Sequence, residues 1–304
     1  MPISASLPHT WAGVFPAVTT QLREDQSFDE AAQAAHLEAL LAAGVQGLIM
    51  CGSLGENQTM GPAEKRAVVG HAVRIAQGRV PVLTGVAETS TRAALAYLED
   101  CTALGASGFM IMPPMAYKAD PREATTYFRT LARATALPWM LYNNPISYTV
   151  DVTPEWLHEL ADIPNLIAVK ESSGNPRRIT EIRHLCGDRF ALFTGVDDLL
   201  LESAILGIDG WVAGSGIAFP RENQHLWNLT QEGRWEEARA LYRWAQPLLK
   251  LDTHPHFVQY IKLIIQETNL GREWDREPRL PITGAEREQV LTIIRQALAQ
   301  RPAL

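Results

Sequence analysis

The sequence predicts an α/β protein, an eight-stranded (β/α)8 barrel with a helical appendage, on three observations. Short apolar runs alternate with amphipathic helical stretches eight times over roughly 220 residues, the size of a closed barrel. The runs are apolar on both faces, as strands of a parallel sheet buried between helices must be. The first run leads into Thr19, Thr20, Gln21 and Leu22, whereas a doubly wound open sheet usually places a Gly-rich phosphate turn there.

The elements follow in order. Gly13 to Thr19 reads as the first strand, and Asp29 is placed to cap a helix running to Ala43. Val45 to Met50 is the second strand, after which Pro62 opens a helix at a first-turn position. Val80 to Thr84 is the third strand, followed by a helix from Thr91 to Leu104. Gly108 to Met112 and Trp139 to Tyr142 are the fourth and fifth, separated by a helix beginning near Pro121. Leu166 to Val169, Phe190 to Thr194 and Gly210 to Ala213 complete the eight. Helices near Pro154 to Ala161, Pro176 to Cys186 and Asp198 to Leu206 lie among them. Beyond Pro220 the strands stop, and Arg234 to Leu249, Phe257 to Thr268 and Ala285 to Ala299 read as three helices. No linker intervenes, so the expected organisation is a catalytic barrel over residues 1–224 with a packed appendage over 225–304.

Composition excludes several partners. The 304 residues are 46% hydrophobic and 20% charged, ordinary for a globular chain with a large core. Net charge is −7 with no basic run, so the concentrated positive face that nucleic acid requires is missing. No apolar run reaches membrane-spanning length and the N-terminus lacks a signal-peptide pattern, so no membrane partner and a cytoplasmic location are expected. The three cysteines, Cys51, Cys101 and Cys186, have no metal spacing and read as buried free thiols of a reducing compartment.

Barrel enzymes carry their chemistry at the C-terminal ends of the strands. Of five lysines, Lys65, Lys118, Lys170, Lys250 and Lys262, only Lys170 ends a strand. A partly desolvated ammonium in a barrel mouth loses proton affinity and becomes a nucleophile toward carbonyls. The competing structural reading pairs Lys170 with Glu171, but alternation along a strand points these two to opposite sides. Lys262 lies in an apolar helical run, where its stem could be buried with the ammonium reaching water. Tyr142 ends the neighbouring strand and could move protons, or could be a buried tyrosine with a backbone partner. The Gly52-Ser53-Leu54-Gly55-Glu56 loop presents amides suited to a carboxylate, or is simply a tight turn. Gly214-Ser215-Gly216 has the same two readings and could also take a phosphate. Asp197 and Asp198 read as helix caps, and His254 and His256 lack a carboxylate in register for a metal, so no metal is expected.

At these residues the chain resembles the dihydrodipicolinate synthase and N-acetylneuraminate lyase family of class I lyases. The resemblance runs in order through Gly13-Val14-Phe15-Pro16-Ala17-Val18-Thr19-Thr20, the Gly52–Glu56 loop, Tyr142-Asn143-Asn144-Pro145, Val169-Lys170-Glu171, Gly195-Val196-Asp197-Asp198 and the helical tail. It implies Lys170 as Schiff-base lysine, Tyr142 as proton shuttle, and Ser53, with the amides of Ser53 and Leu54, as binder of a 2-oxo acid carboxylate. Gly52, Asn144, Tyr117, Gly195, Gly214 and Ser215 join the expected substrate-binding set. No cofactor is implied, and a homotetramer, a dimer of dimers, is.

Departures bear on the substrate. Where the synthases carry two threonines this chain has Ser53 and Leu54. Ser147 stands in place of an arginine that clamps a second carboxylate, and Ala116 aligns with the tyrosine borrowed across the dimer. The pattern, with Tyr117-Lys118, Tyr148 and Leu251-Asp252-Thr253-His254, looks most like the subgroup that deaminates and dehydrates Δ1-pyrroline-4-hydroxy-2-carboxylate to 2-oxoglutarate semialdehyde. The alternatives are a 4-hydroxy-tetrahydrodipicolinate synthase-like reaction, an aldolase or dehydratase acting on a 2-keto-3-deoxy sugar acid, and a silent binder of 2-oxo acids.

Overall fold

The computed structural model describes residues 11–304, so the first ten residues of the expected barrel segment lie outside the described residues. Its strands and helices alternate: β1 Gly13–Val14, α1 Glu30–Ala42, β2 Leu48–Met50, α2 Pro62–Ala76, β3 Val82–Val86, α3 Thr91–Ala103, β4 Gly108–Ile111, α4 Pro121–Ala134 and β5 Trp139–Asn143. Two short helices follow, α5 Pro145–Tyr148 and α6 Pro154–Glu159, then β6 Leu166–Glu171, α7 Arg177–Cys186, β7 Ala191–Thr194, α8 Leu200–Ile205 and β8 Gly210–Trp211. The chain ends in α9 Pro220–Gln231, α10 Trp235–Leu249, α11 Phe257–Glu267 and α12 Gly284–Ala299.

All eight strands are parallel, in the order β1-β8-β7-β6-β5-β4-β3-β2. The ring closes where Val18 N donates to Ile49 O at 2.9 Å and Ala17 bridges Ile49. This is the predicted barrel. The caps act as the side chains dictate: Asp29 accepts from Ala32 N at the start of α1, and Asp120 with Glu123 forms a reciprocal box at α4.

Several expected boundaries move, each for a visible reason. The first strand is shorter than Gly13 to Thr19 because Pro16 has no N–H to give the ladder. Phe15 and Ala17 nevertheless keep their bonds to Trp211 O and Ala213 O. The sixth strand runs past Val169 to Glu171, because Lys170 and Glu171 still pair with Tyr142 and Asn143 on one side and Phe193 and Thr194 on the other. Lys170 therefore sits inside a strand, held from both flanks. Helix α9 was not foreseen, and it spans residues 224 and 225, where barrel and appendage were expected to meet.

The barrel interior is packed with large side chains opposite glycines. Phe15 and Phe193 meet edge to face at 5.3 Å, and a Cβ at Gly47 or Gly210 would run into those rings. Among the described residues no helix is long and apolar enough to cross a membrane.

Candidate active site

Strands β5 and β6 set the central pair. Their register aligns Tyr142 with Lys170, so both side chains leave the sheet at one level and on one face. The Lys170 Nζ lies 4.0 Å from the centroid of the Tyr142 ring. No carboxylate stands within ion-pair distance of that amine among the described residues, and burial pushes its pKa down, opposed chiefly by the field of Asp252. Glu171 points the other way, as alternation required. It accepts from Asn143 Nδ2 at 3.0 Å and from Ser173 N at 2.6 Å.

Space for Lys170 is made by Gly195. A Cβ there would collide with the lysine stem and the Ser172 hydroxyl, so glycine is the residue that lets β7 pass. Gly195 thus shapes the site by what it leaves out.

Tyr142 is placed by Asn144, whose Nδ2 donates to the phenol at 3.1 Å while its Oδ1 caps α5 by accepting from Ser147 N at 3.0 Å. Asn144 is consequently a positioning residue whose side chain is already occupied. Burial pushes the Tyr142 phenol up to about 12, which keeps it protonated near neutral pH. Helix α5 then turns Tyr148 back over the mouth. Its ring meets that of Tyr142 edge to face at 5.5 Å, and its hydroxyl is hydrogen-bonded to Ser53 Oγ. Tyr142, Tyr148 and Ser53 form one polar line from the amine to the glycine loop. Tyr148 was noted in the sequence only as part of a pattern, because a residue six past a strand end has no assigned direction.

The loop after β2 is strained in the manner of binding turns: Cys51 and Glu56 have φ of 50° and 60°. The amides of Ser53 and Leu54 donate to no acceptor among the described residues, while Asn57 Nδ2 ties the loop to Cys51 O at 2.9 Å and Gly85 O at 3.0 Å. Two free N–H groups on a pinned turn suit a carboxylate. Glu56 is unavailable to a ligand. It is buried, paired with Lys262 Nζ, and accepts from Arg276 N at 2.8 Å.

Four expectations are corrected by the geometry. Lys262 does not carry its ammonium to water: it is fully buried because Glu56 and Trp274 O solvate it inside the protein. Asp197 does not cap a helix; buried, it accepts from Trp211 Nε1 at 3.0 Å, Gly214 N at 3.1 Å, and Ser215 N and Oγ at 2.7 Å each. Ser215 is therefore spent on Asp197, fully buried, and offers a ligand neither hydroxyl nor amide. Tyr117 is 57% exposed, and its hydroxyl is spent on Glu123, to which it donates at 3.0 Å.

The missing carboxylate beside His254 and His256 does exist. Glu286 of α12 lies 2.7 Å from His256 Nδ1 and accepts from the Tyr260 hydroxyl, a surface cluster on the appendage. A cavity of about 680 Å³ among Arg129, Arg133, Pro138 and Asn165 opens where β5 and β6 begin, at the opposite end of the barrel from Lys170. The thiols of Cys51, Cys101 and Cys186 are free and buried, as expected.

Asp252, like Tyr148, enters the sequence reading only as part of a pattern, with no role assigned. It belongs to the turn at Lys250–Thr253 between α10 and α11, and reaches the mouth so closely that its carboxylate fills the space a Cβ on Gly214 would take. Its field acts on both Lys170 and Tyr142.

A family model described as the dihydrodipicolinate synthetase family matches residues 10–297. A 4-hydroxy-tetrahydrodipicolinate synthase of Sorangium cellulosum is 32% identical over 96% of this chain and 98% of its own. Among solved structures, a dihydrodipicolinate synthase of Bacillus anthracis superposes with a TM-score of 0.89 at 26% identity, covering 93% of this chain and 97% of that one. YagE, a prophage protein of the dihydrodipicolinic acid synthase family from E. coli K12 solved in complex with pyruvate, gives 0.88 at 27%, covering 95% and 99%.

Proposed function

The chain belongs to the dihydrodipicolinate synthetase family of class I lyases, and from that premise we propose that Lys170 captures a small 2-oxo acid as a Schiff base whose enamine makes or breaks a bond at C3 and C4. The observation that carries this reading is the buried amine without a counter-ion, in register with Tyr142. The Lys170 amine adds to C2, and the carbinolamine oxygen leaves as water with a proton from the Tyr142 phenol. The resulting iminium acidifies C3, and loss of a C3 proton gives the enamine. Tyr148 and Ser53 offer the path by which Tyr142 is reprotonated from the mouth. The amides of Ser53 and Leu54 hold the 2-oxo acid carboxylate, with Gly52 giving the loop its close approach.

Relatives named 4-hydroxy-tetrahydrodipicolinate synthase, and a pyruvate-bound neighbour, support an aldol-type reaction of the synthase-like or 2-keto-3-deoxy acid kind over the pyrroline deamination that the sequence pattern put first. One observation keeps the deaminase as the second reading: Ser147, where a second carboxylate clamp is expected, is an exposed residue of α5. A homotetramer remains part of the proposal, tested by the mass of the protein in solution.

Borohydride added with pyruvate should fix an adduct on Lys170, located by mass spectrometry. An unmodified Lys170, or an adduct on another lysine, would sink the reading. Pyruvate release from a 2-keto-3-deoxy acid against ammonia release from the hydroxypyrroline carboxylate then separates the two chemistries.

A further inference from the structure

The connection between α10 and α11 carries two histidines around one proline, His254-Pro255-His256, and the fold delivers a carboxylate to them. His254 has extended backbone, φ −87° and ψ 149°, as a residue before proline does, while His256 stands at the start of α11. The change of direction between them brings the imidazoles together, with ring centres 5.3 Å apart. Tyr260, one helical turn on from His256, stacks on His254 at 4.7 Å and 21°. Glu286 arrives from the first turn of α12. Its Oε1 lies 2.7 Å from His256 Nδ1 and accepts from the Tyr260 hydroxyl at 2.7 Å.

Hydrogen bonding accounts for three of these four groups. An ionised carboxylate only accepts, so the proton between Glu286 and His256 sits on Nδ1, and the phenol supplies the second donor. His254 takes no part in that exchange; its Nδ1 accepts from His256 N at 3.1 Å. Yet a ring nitrogen of His254, one of His256 and an oxygen of Glu286 all lie within 4.8 Å of one another. Among the described residues this is the one group of three His, Cys, Asp or Glu donors set so closely.

The donor set decides which ion suits it. Two imidazoles and a carboxylate, with a fourth position left for water, match zinc. A single hard oxygen is too little for calcium or magnesium. Ligand atoms around tetrahedral zinc stand about 3.3 Å apart. The contact between His256 and Glu286 therefore opens by about half an ångström, and the longest separation closes by at most about 1.5 Å. Side-chain rotation supplies both, since the histidines are exposed and Glu286 is half-buried. The same exposure lets an ion enter without opening the fold.

We propose that His254, His256 and Glu286 form a zinc site that ties the start of α11 to the start of α12, with Tyr260 holding the carboxylate from outside the coordination shell. The metal takes the place of the proton between His256 Nδ1 and Glu286, and that proton moves to Nε2 of the same ring. Bringing in His254 costs at most the exposed hydrogen bond its Nδ1 takes from His256 N. The site shares no residue with the Schiff-base reading, and each stands if the other fails.

The test is a calorimetric titration of zinc chloride into the full chain, made without a histidine tag and stripped with chelator. One zinc per chain with Kd of about 20 µM or tighter is expected. Zinc should also raise the melting temperature, whereas calcium and magnesium do not. His254→Ala, His256→Ala and Glu286→Gln should each weaken binding by at least ~20-fold, and Tyr260→Phe by about 10-fold, as loss of an outer donor does. His184→Ala, at an exposed histidine elsewhere, should change nothing. Cobalt in place of zinc should give the intense visible bands of a tetrahedral ion, lost in His254→Ala. Melting in metal-free buffer checks that each variant is folded. Should Glu286→Gln fail that check, His254→Ala, which severs no hydrogen bond to α12, carries the test. Zinc binding weaker than about 20 µM overturns the proposal. So does tight binding that survives His254→Ala, which would leave an adventitious ion on His256 and Glu286 alone, or cobalt bands of a six-coordinate ion.

Discussion

Lys170 and Lys262 are both buried, and only one has been given a counter-ion. Lys262 lies in α11 with Glu56 on its ammonium, Trp274 O as a second acceptor and Asp275 at 3.9 Å. Lys170 lies in β6 with an aromatic face 4.0 Å away and no carboxylate in ion-pair reach. A buried lysine whose tip is met by a carboxylate and a carbonyl serves as a brace. One denied a partner is driven toward the free amine, which is the reactive form. Lys65, paired with Glu88 under α2, belongs with Lys262.

The sharpest way to break this comparison is to replace each lysine with methionine, which keeps the stem and removes the charge. Lys170→Met should lose activity by about 10³-fold or more, on the scale of removing a covalent nucleophile. It should unfold at a urea concentration no lower than the parent, because an unpartnered buried cation contributes nothing to the fold. A clear loss of stability in this variant would mean that Lys170 is a brace after all.

Lys262→Met should do the reverse. It strands Glu56 in the interior, and breaking a buried pair from one side costs about 3–5 kcal/mol, read from the urea midpoint. Because Glu56 also receives Arg276 N and ends the 52–56 loop, KM for the 2-oxo acid should rise more than kcat falls. Adding Glu56→Gln should recover part of the lost stability, since a neutral amide is cheaper to bury than a lone carboxylate. Unchanged stability in Lys262→Met would remove the distinction between the two lysines.

How far the sequence could carry this is itself uneven along the chain. The barrel was legible because buried parallel strands leave continuous apolar runs, and Lys170 and Tyr142 because strand-end position is a local property. Boundaries erred where pairing partners decide them, as at Lys170 and Glu171, or where Pro16 interrupts a ladder without ending the strand's course. The partners of Glu56 were out of reach: Lys262 is 206 residues away, and an apolar helix around a lysine looks the same whether its tip meets water or an acid. Asp252 arrives from a turn in the appendage, and no periodicity announces a side chain that leaves one unit to enter another. Tyr117 failed for a nearer reason, since a pattern of residue types does not say that its hydroxyl is taken by Glu123.

A last and smaller effect tests the surroundings of Lys262. Asp275 is raised to about 7, with burial the largest cause and Lys262 opposing it. Its Oδ1 has no hydrogen-bond partner. The folded value lies above the unfolded one of about 3.9, so between the two the native state holds the extra proton. Folding therefore favours the neutral acid, and stability from this group declines as pH rises from about 4 through about 7 and is level above that. Asp275→Asn supplies a permanently neutral isostere. Relative to the parent it should gain about 2–3 kcal/mol between pH 5 and pH 8, read as diverging urea midpoints. Midpoints that run parallel across that range would show that Lys262 already holds Asp275 ionised, and that the brace has two carboxylates where the geometry indicates one.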